Sequence, residues 1–136
     1  MPKQHPESNK SSVRCALELL FTASISWTDK QAEIRRYINP DKYIQHSPGI
    51  GDGLQALMDL VKGFDKNIGH YSIEVKRLIA EDDFVFAHCL YSFGEPPRYT
   101  AIAEIFRLEG GQMVEHWDVI QDVPDPSQSK NRNGML

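Results

Sequence analysis

This chain of 136 residues has no excess of positive charge. Its 15 lysines and arginines are outnumbered by 19 aspartates and glutamates, for a net charge of −4. Nucleic-acid binding usually shows as a basic stripe. The cations here are scattered, so no nucleic-acid partner is expected. Long hydrophobic runs are also lacking. No segment approaches the roughly 20 apolar residues of a membrane helix, so no membrane partner is expected either. Cysteine is scarce. Cys15 and Cys89 have no metal or redox spacing and are expected to be buried, reduced thiols of a cytoplasmic protein. The opening residues are polar and lack the apolar stretch of a signal peptide, which agrees with that location. A Gly-x-Ser-x-Gly elbow, a P-loop, a dinucleotide fingerprint and a His-Glu-x-x-His pair are all missing. Neither a metal nor an organic cofactor is expected.

What remains is ordinary globular material, 40% hydrophobic and 25% charged, long enough to bury a core. Polar, proline-bearing ends read as flexible tails over 1–10 and 124–136. One domain over 11–123 lies between them. Val13, Ala16, Leu17, Leu20 and Ile25 recur at helical spacing behind Ser11 and Ser12. A second helix is expected over 29–38, stopped by Asn39-Pro40. A third is expected from Asp52, in a capping-box position, with Leu54, Leu57, Met58, Val61 and Phe64 on one face. The period then changes, and four strands are expected over 72–80, 84–93, 99–108 and 113–121. Their short connections make them antiparallel neighbours. Helices followed by a meander indicate an α+β domain.

The strand faces carry the chemistry. One face of the second long strand reads Phe84, Phe86, His88, Leu90; one face of the third reads Thr100, Ile102, Glu104, Phe106, Leu108. A carboxylate among Ile102, Phe106 and Leu108 is costly unless paired. Such a carboxyl suits general acid–base work, although a structural hydrogen bond would also account for it. His88 alone is a weaker signal and reads more readily as a satisfied core residue. In the fourth strand, alternation puts His116 and Asp118 on one face and Glu115 and Trp117 on the other. A two-residue Gly110-Gly111 turn would pair Glu104 with Trp117. A three-residue turn would group Glu104, His116 and Asp118 and set Arg107 opposite Glu115. The second register is favoured because it makes that ion pair. His46 lies beside Pro48 on a loop, where function often resides.

Tyr43-Ile44-Gln45-His46-Ser47-Pro48, Phe86-Ala87-His88, Glu104-Ile105-Phe106-Arg107 and the run from Gly111 to Asp118, in this order, resemble the SnoaL-like polyketide cyclase family of the nuclear transport factor 2-like superfamily. The resemblance covers residues 11–123. It implies a cone-shaped, cystatin-like α+β barrel, with a strongly curved antiparallel sheet wrapped around the N-terminal helices and a pocket in its mouth. It also implies cofactor-free aldol chemistry, with a strand carboxylate as acid/base and a histidine on the preceding strand. Glu104 and His88 fall on those positions, Glu104 where the family usually has Asp.

On this reading the chain is a small enzyme, a cyclase, isomerase or lyase, acting on a hydrophobic carbonyl compound. Glu104 and His88 are the expected catalytic residues. His46, Phe86, Phe106, His116, Trp117 and Asp118 are the expected pocket. The alternative is a non-catalytic ligand-binding or dimerisation module, since fold does not fix function. An apolar outer face, expected to include Val85, Ala87, Tyr91 and Ile105, points to a homodimer.

Overall fold

The structure, a computed structural model, describes residues 6–136. Helices α1 (Pro6–Leu20) and α2 (Trp27–Glu33) come first, and a 3-10 turn, Ile34–Arg36, extends α2. A two-residue strand, β1 (Ile44–Gln45), precedes α3 (Leu54–Asn67). The meander then runs through β2 (Tyr71–Glu81), β3 (Phe84–Phe93), β4 (Arg98–Glu109) and β5 (Gln112–Asp122). The sheet order is β1-β5-β4-β3-β2, antiparallel except for the β1–β5 pair, and the sheet does not close on itself. Helix α1 touches β2, β3 and β5, so the sheet curls around it. This is the α+β architecture expected from the sequence, with an open edge.

Pro6 begins α1, a position proline favours, and Asn9 is buried on it. The loose tail expected to residue 10 is therefore helical from residue 6; residues 1–5 lie outside the described residues. Beyond Asp122 the chain adds one 3-10 turn, Pro126–Gln128, and is mostly exposed. Ser26 caps α2 by accepting the Asp29 N–H at 3.1 Å. Asp52 does not cap α3. Gly53 takes that place with φ 90°, and Asp52 Oδ1 instead accepts the Gln45 N–H at 2.8 Å. That bond helps to fix β1, which is too short for a periodic signal. Within helix range, no described helix is long and apolar enough to cross a membrane.

The core lies between the concave sheet face and the helices. Val13, Leu20 and Val61 meet Val85, Ala87, Cys89 and Tyr91 there, all at 2% exposure or less. Burying each large aliphatic contributes roughly 1.5–3 kcal/mol. The face of β3 is thus the reverse of the one expected. Ala87 pairs with Glu104, so the small residues of β3 face inward with the carboxylate. Small side chains let α1 approach the sheet closely. Phe84, Phe86 and His88 turn to the convex outer side. Val85, Ala87 and Tyr91 therefore belong to the core and not to an outer contact surface. Cys89 is buried as expected, whereas Cys15 is exposed on α1.

Lys30 is fully buried in α2. Its Nζ donates to Tyr71 Oη at 2.5 Å and lies 3.8 Å from Asp65 Oδ1, and the Tyr71 hydroxyl donates to Asp65. The network ties α2, α3 and β2 together. Burial holds the Lys30 ammonium below its ordinary pKa, against the opposing pull of Asp65.

Candidate active site

The β4–β5 hairpin sets the site. Gly110 and Gly111 both have positive φ, 57° and 80°, and form a two-residue turn in which Glu109 pairs with Gln112. The register then shifts: Leu108 pairs with Met113, but Arg107 pairs with Glu115. Val114 is the extra residue of a β-bulge, and both Met113 and Val114 are buried. The turn is the short one, yet the pairing is that expected from the longer turn. Glu104 lies opposite Asp118, Phe106 opposite His116 and Arg107 opposite Glu115.

Glu104 is 5% exposed and His116 5%. Glu104 Oε1 is 3.2 Å from His116 Nε2, and its Oε2 accepts the Tyr91 hydroxyl at 2.7 Å. His116 Nδ1 lies 2.7 Å from Gln45 Oε1, which also accepts the Ser47 N–H at 3.0 Å. A backbone N–H can only donate, so that atom is an acceptor and His116 Nδ1 carries a proton. The Nε2–Oε1 contact then requires one further proton, held either by the imidazole or by the carboxyl. Either way the pair is neutral overall.

Burial pushes the Tyr91 phenol pKa up, and Glu104 adds to the effect. Tyr43 is raised in the same way, by burial first and then by Glu104 and Asp118. Burial, again aided by Glu104, raises Cys89. These groups stay protonated around Glu104, and the Tyr91 hydroxyl donates to it. Among the described residues, Glu104, His116 and Asp118 also form the group that could hold a metal ion, with their ligand atoms within 4.8 Å of one another.

A cavity of about 470 Å³ opens beside this cluster. Tyr43, Phe106, Glu104, His116 and Asp118 line it, with Phe21, Phe64, Tyr91 and Phe93 forming an aromatic cluster on its wall. Four of the expected site residues thus meet here: Glu104, Phe106, His116 and Asp118. The other four do not. His88 bonds Arg77 through Nδ1 on the outer face. Phe86 and Trp117 line a separate outer hollow with Ile79, Phe84 and Ile105. His46 stacks on Trp117 at 4.8 Å and 4° and contacts Glu115 through Nε2 at 2.8 Å. That hydrogen bond, followed by the one from Arg107, holds Glu115 below the usual carboxylate range.

Tyr43, Gln45 and Tyr91 were not singled out from sequence. Tyr43 and Gln45 stand in the hexapeptide that carries the family resemblance. Tyr91 has the two-residue spacing of Val85, Ala87 and Cys89, so a correct choice of β3 face would have found it.

Fold and site define a small α+β pocket protein with a buried carboxylate–imidazole pair. The SnoaL-like domain model matches residues 20–116, and the chain belongs to the SnoaL-like family. Among solved structures it is similar to a candidate SnoaL-like polyketide cyclase from Jannaschia sp. CCS1, at 18% identity over 88% of this chain and 91% of that one, TM-score 0.65. An LEH-like epoxide hydrolase from M. tuberculosis is 13% identical over 85% and 84%, TM-score 0.67. AclR, a candidate hydroxylase from Streptomyces galilaeus, is 21% identical over 86% and 91%, TM-score 0.64. None of the curated proteins matches the chain. These likenesses concern the fold, and the names cover three different reactions.

Proposed function

We propose that the chain is an enzyme performing acid–base chemistry on a hydrophobic carbonyl compound, as an aldol-type cyclase or isomerase. The carrying observation is the 3.2 Å contact between Glu104 Oε1 and His116 Nε2 at the wall of an apolar cavity, which requires one proton between them. With that proton on His116, Glu104 is a carboxylate and can remove a proton alpha to a carbonyl. The C–H electrons become the enolate, and the enolate carbon attacks a second carbonyl of the same molecule. The new alkoxide takes the proton back from Glu104. For isomerisation the proton returns to a different carbon.

The Tyr43 hydroxyl has no hydrogen bond to another described residue and lines the cavity, so it supplies a donor for the developing oxyanion. His116 takes the part the sequence suggested for His88. The chemistry uses the chain's own groups. Room in the cavity beside Glu104 supports the enzyme over a non-catalytic module, although His88, expected to face the cavity as well, lies on the outer side.

Phe84, Ile105 and Val119 are 43%, 40% and 73% exposed on the outer face. This apolar surface supports a homodimer through the sheet. The two free thiols and the lack of a long apolar helix among the described residues fit a cytoplasmic setting. Crystals soaked in a mixture of small carbonyl compounds test the functional reading. Density in the cavity with an oxygen within hydrogen-bond reach of Tyr43 or His116 is expected. Density confined to the outer hollow would contradict it.

A further inference from the structure

We infer that the cavity selects an apolar molecule bearing a protonated amine and rejects one bearing a carboxylate. The inference rests on the reading of the cavity as the substrate site and names the class of substrate. No lysine or arginine lines the cavity among the described residues, whereas Glu104, Asp118 and Asp122 do. The Glu104–His116 pair sums to zero charge by the proton count fixed through Gln45. Tyr43, Tyr91 and Cys89 are all held protonated. Asp118 and Asp122 are therefore two uncompensated negative charges.

Their placement is ordered. Both project from the same face of β5. Asp118 is half-buried beside His116, and Asp122 is exposed at the rim, where Thr100 Oγ1 donates to it at 3.4 Å. Among the described residues no donor is hydrogen-bonded to the Asp118 carboxylate. A second, independent feature favours the same charge. The aromatic cluster, with Phe21–Tyr91 centroids 5.0 Å apart and Phe64–Phe93 5.1 Å, contributes π faces that attract cations. An incoming ammonium meets carboxylates and aromatic faces, while an incoming carboxylate meets the Tyr43 hydroxyl but no lysine or arginine to offset Asp118 and Asp122.

Three probes with one ring system test this on the full chain: 2-(aminomethyl)naphthalene, 2-acetylnaphthalene and 2-naphthoate. Titration calorimetry at low salt, about 0.02 M, keeps screening weak. The ammonium is expected to bind at least about tenfold tighter than the carboxylate, a modest share of the Coulomb energy at contact. The gap should narrow at about 0.5 M salt. In an Asp118→Asn/Asp122→Asn double variant the ammonium should weaken by about tenfold, and the carboxylate should tighten. These changes keep side-chain volume, and a thermal melt verifies folding. If the double variant does not fold, the salt series on the native chain decides alone.

Equal or tighter binding of the carboxylate by the native chain would overturn the inference, as would a gap that ignores salt. If none of the probes binds, the substrate-site reading fails with it. If the ketone binds and charge makes no difference, only the selectivity fails.

Discussion

At the scale of single residues, the Glu104 carboxyl, the His116 ring and the Gln45 amide form one chain of hydrogen bonds with Ser47 at its end. Glu104→Gln keeps an acceptor for Tyr91 and gives His116 Nε2 a donor. Its thermal stability should stay within about 1 kcal/mol of the native chain, while turnover disappears. Glu104→Leu strands both partners and should cost about 2–6 kcal/mol, summing two unpaired buried groups. Thermal melts of the two variants separate the cases; a Gln variant as unstable as the Leu variant would mark Glu104 as structural. Gln45 acts through His116, as a positioning residue. Gln45→Leu should move the His116 proton off Nδ1, read as a changed pair of ring ¹⁵N shifts, and Gln45→Glu should restore them. On the outer face, His46 and Arg107 hold Glu115 below its ordinary value of 4.5. Its folded pKa lies below the unfolded one, so its stabilisation is present above the unfolded value and lost as pH falls through the folded value. Melts from about pH 6 to about pH 3 should show the native chain converging on Glu115→Gln as the pH falls. A constant difference would contradict the assignment.

At the scale of elements, the bulge at Val114 decides which face of β5 enters the cavity. Without it, continuous pairing from the Gly110-Gly111 turn would set Trp117 against Glu104. The favoured register was legible because Arg107 and Glu115 only meet in it, but the device that produces it was not, since a bulge leaves no periodic mark. The face of β3 was illegible for a different reason. Both of its faces are apolar, and bulk suggested Phe84 and Phe86 as the inner set. In a sheet curled around a helix the inner positions instead favour small side chains, here Val85, Ala87 and Cys89. β1 is two residues long and escaped notice, although it carries Gln45. The contact between α2, α3 and β2 turns on Tyr71. Tyr71→Phe removes the hydroxyl between Lys30 and Asp65 and leaves the ammonium buried with a weak partner. A loss of about 1–3 kcal/mol in denaturant melts is expected; an unchanged midpoint would mean that the network is not holding the elements.

At the scale of the whole molecule, the sheet separates two surfaces with different tasks. The concave side holds the carboxylate–imidazole pair and the cavity. The convex side carries His88, Phe86, Trp117 and His46, which the sequence had grouped with the catalytic residues because both sides of the sheet mix aromatics with titratable groups. Strand positions and fold class were legible from period and turns; the partition between surfaces needed curvature. The convex patch around Phe84 and Ile105 is the dimer surface in the account proposed above. Light scattering at micromolar concentration should give twice the 15.5 kDa chain mass, and Ile105→Glu should return it to a monomer with its fold intact. A native monomer would contradict the dimer.

The most direct test of the central claim uses a simple ketone in place of the unknown substrate. 2-Acetylnaphthalene is incubated with the protein in D₂O, and mass spectrometry follows deuterium entering the methyl group beside the carbonyl. The account predicts exchange well above the buffer rate, abolished in Glu104→Gln, sharply reduced in His116→Asn and unchanged in His88→Asn. Exchange that persists in Glu104→Gln, or that depends on His88 and not on His116, would contradict it.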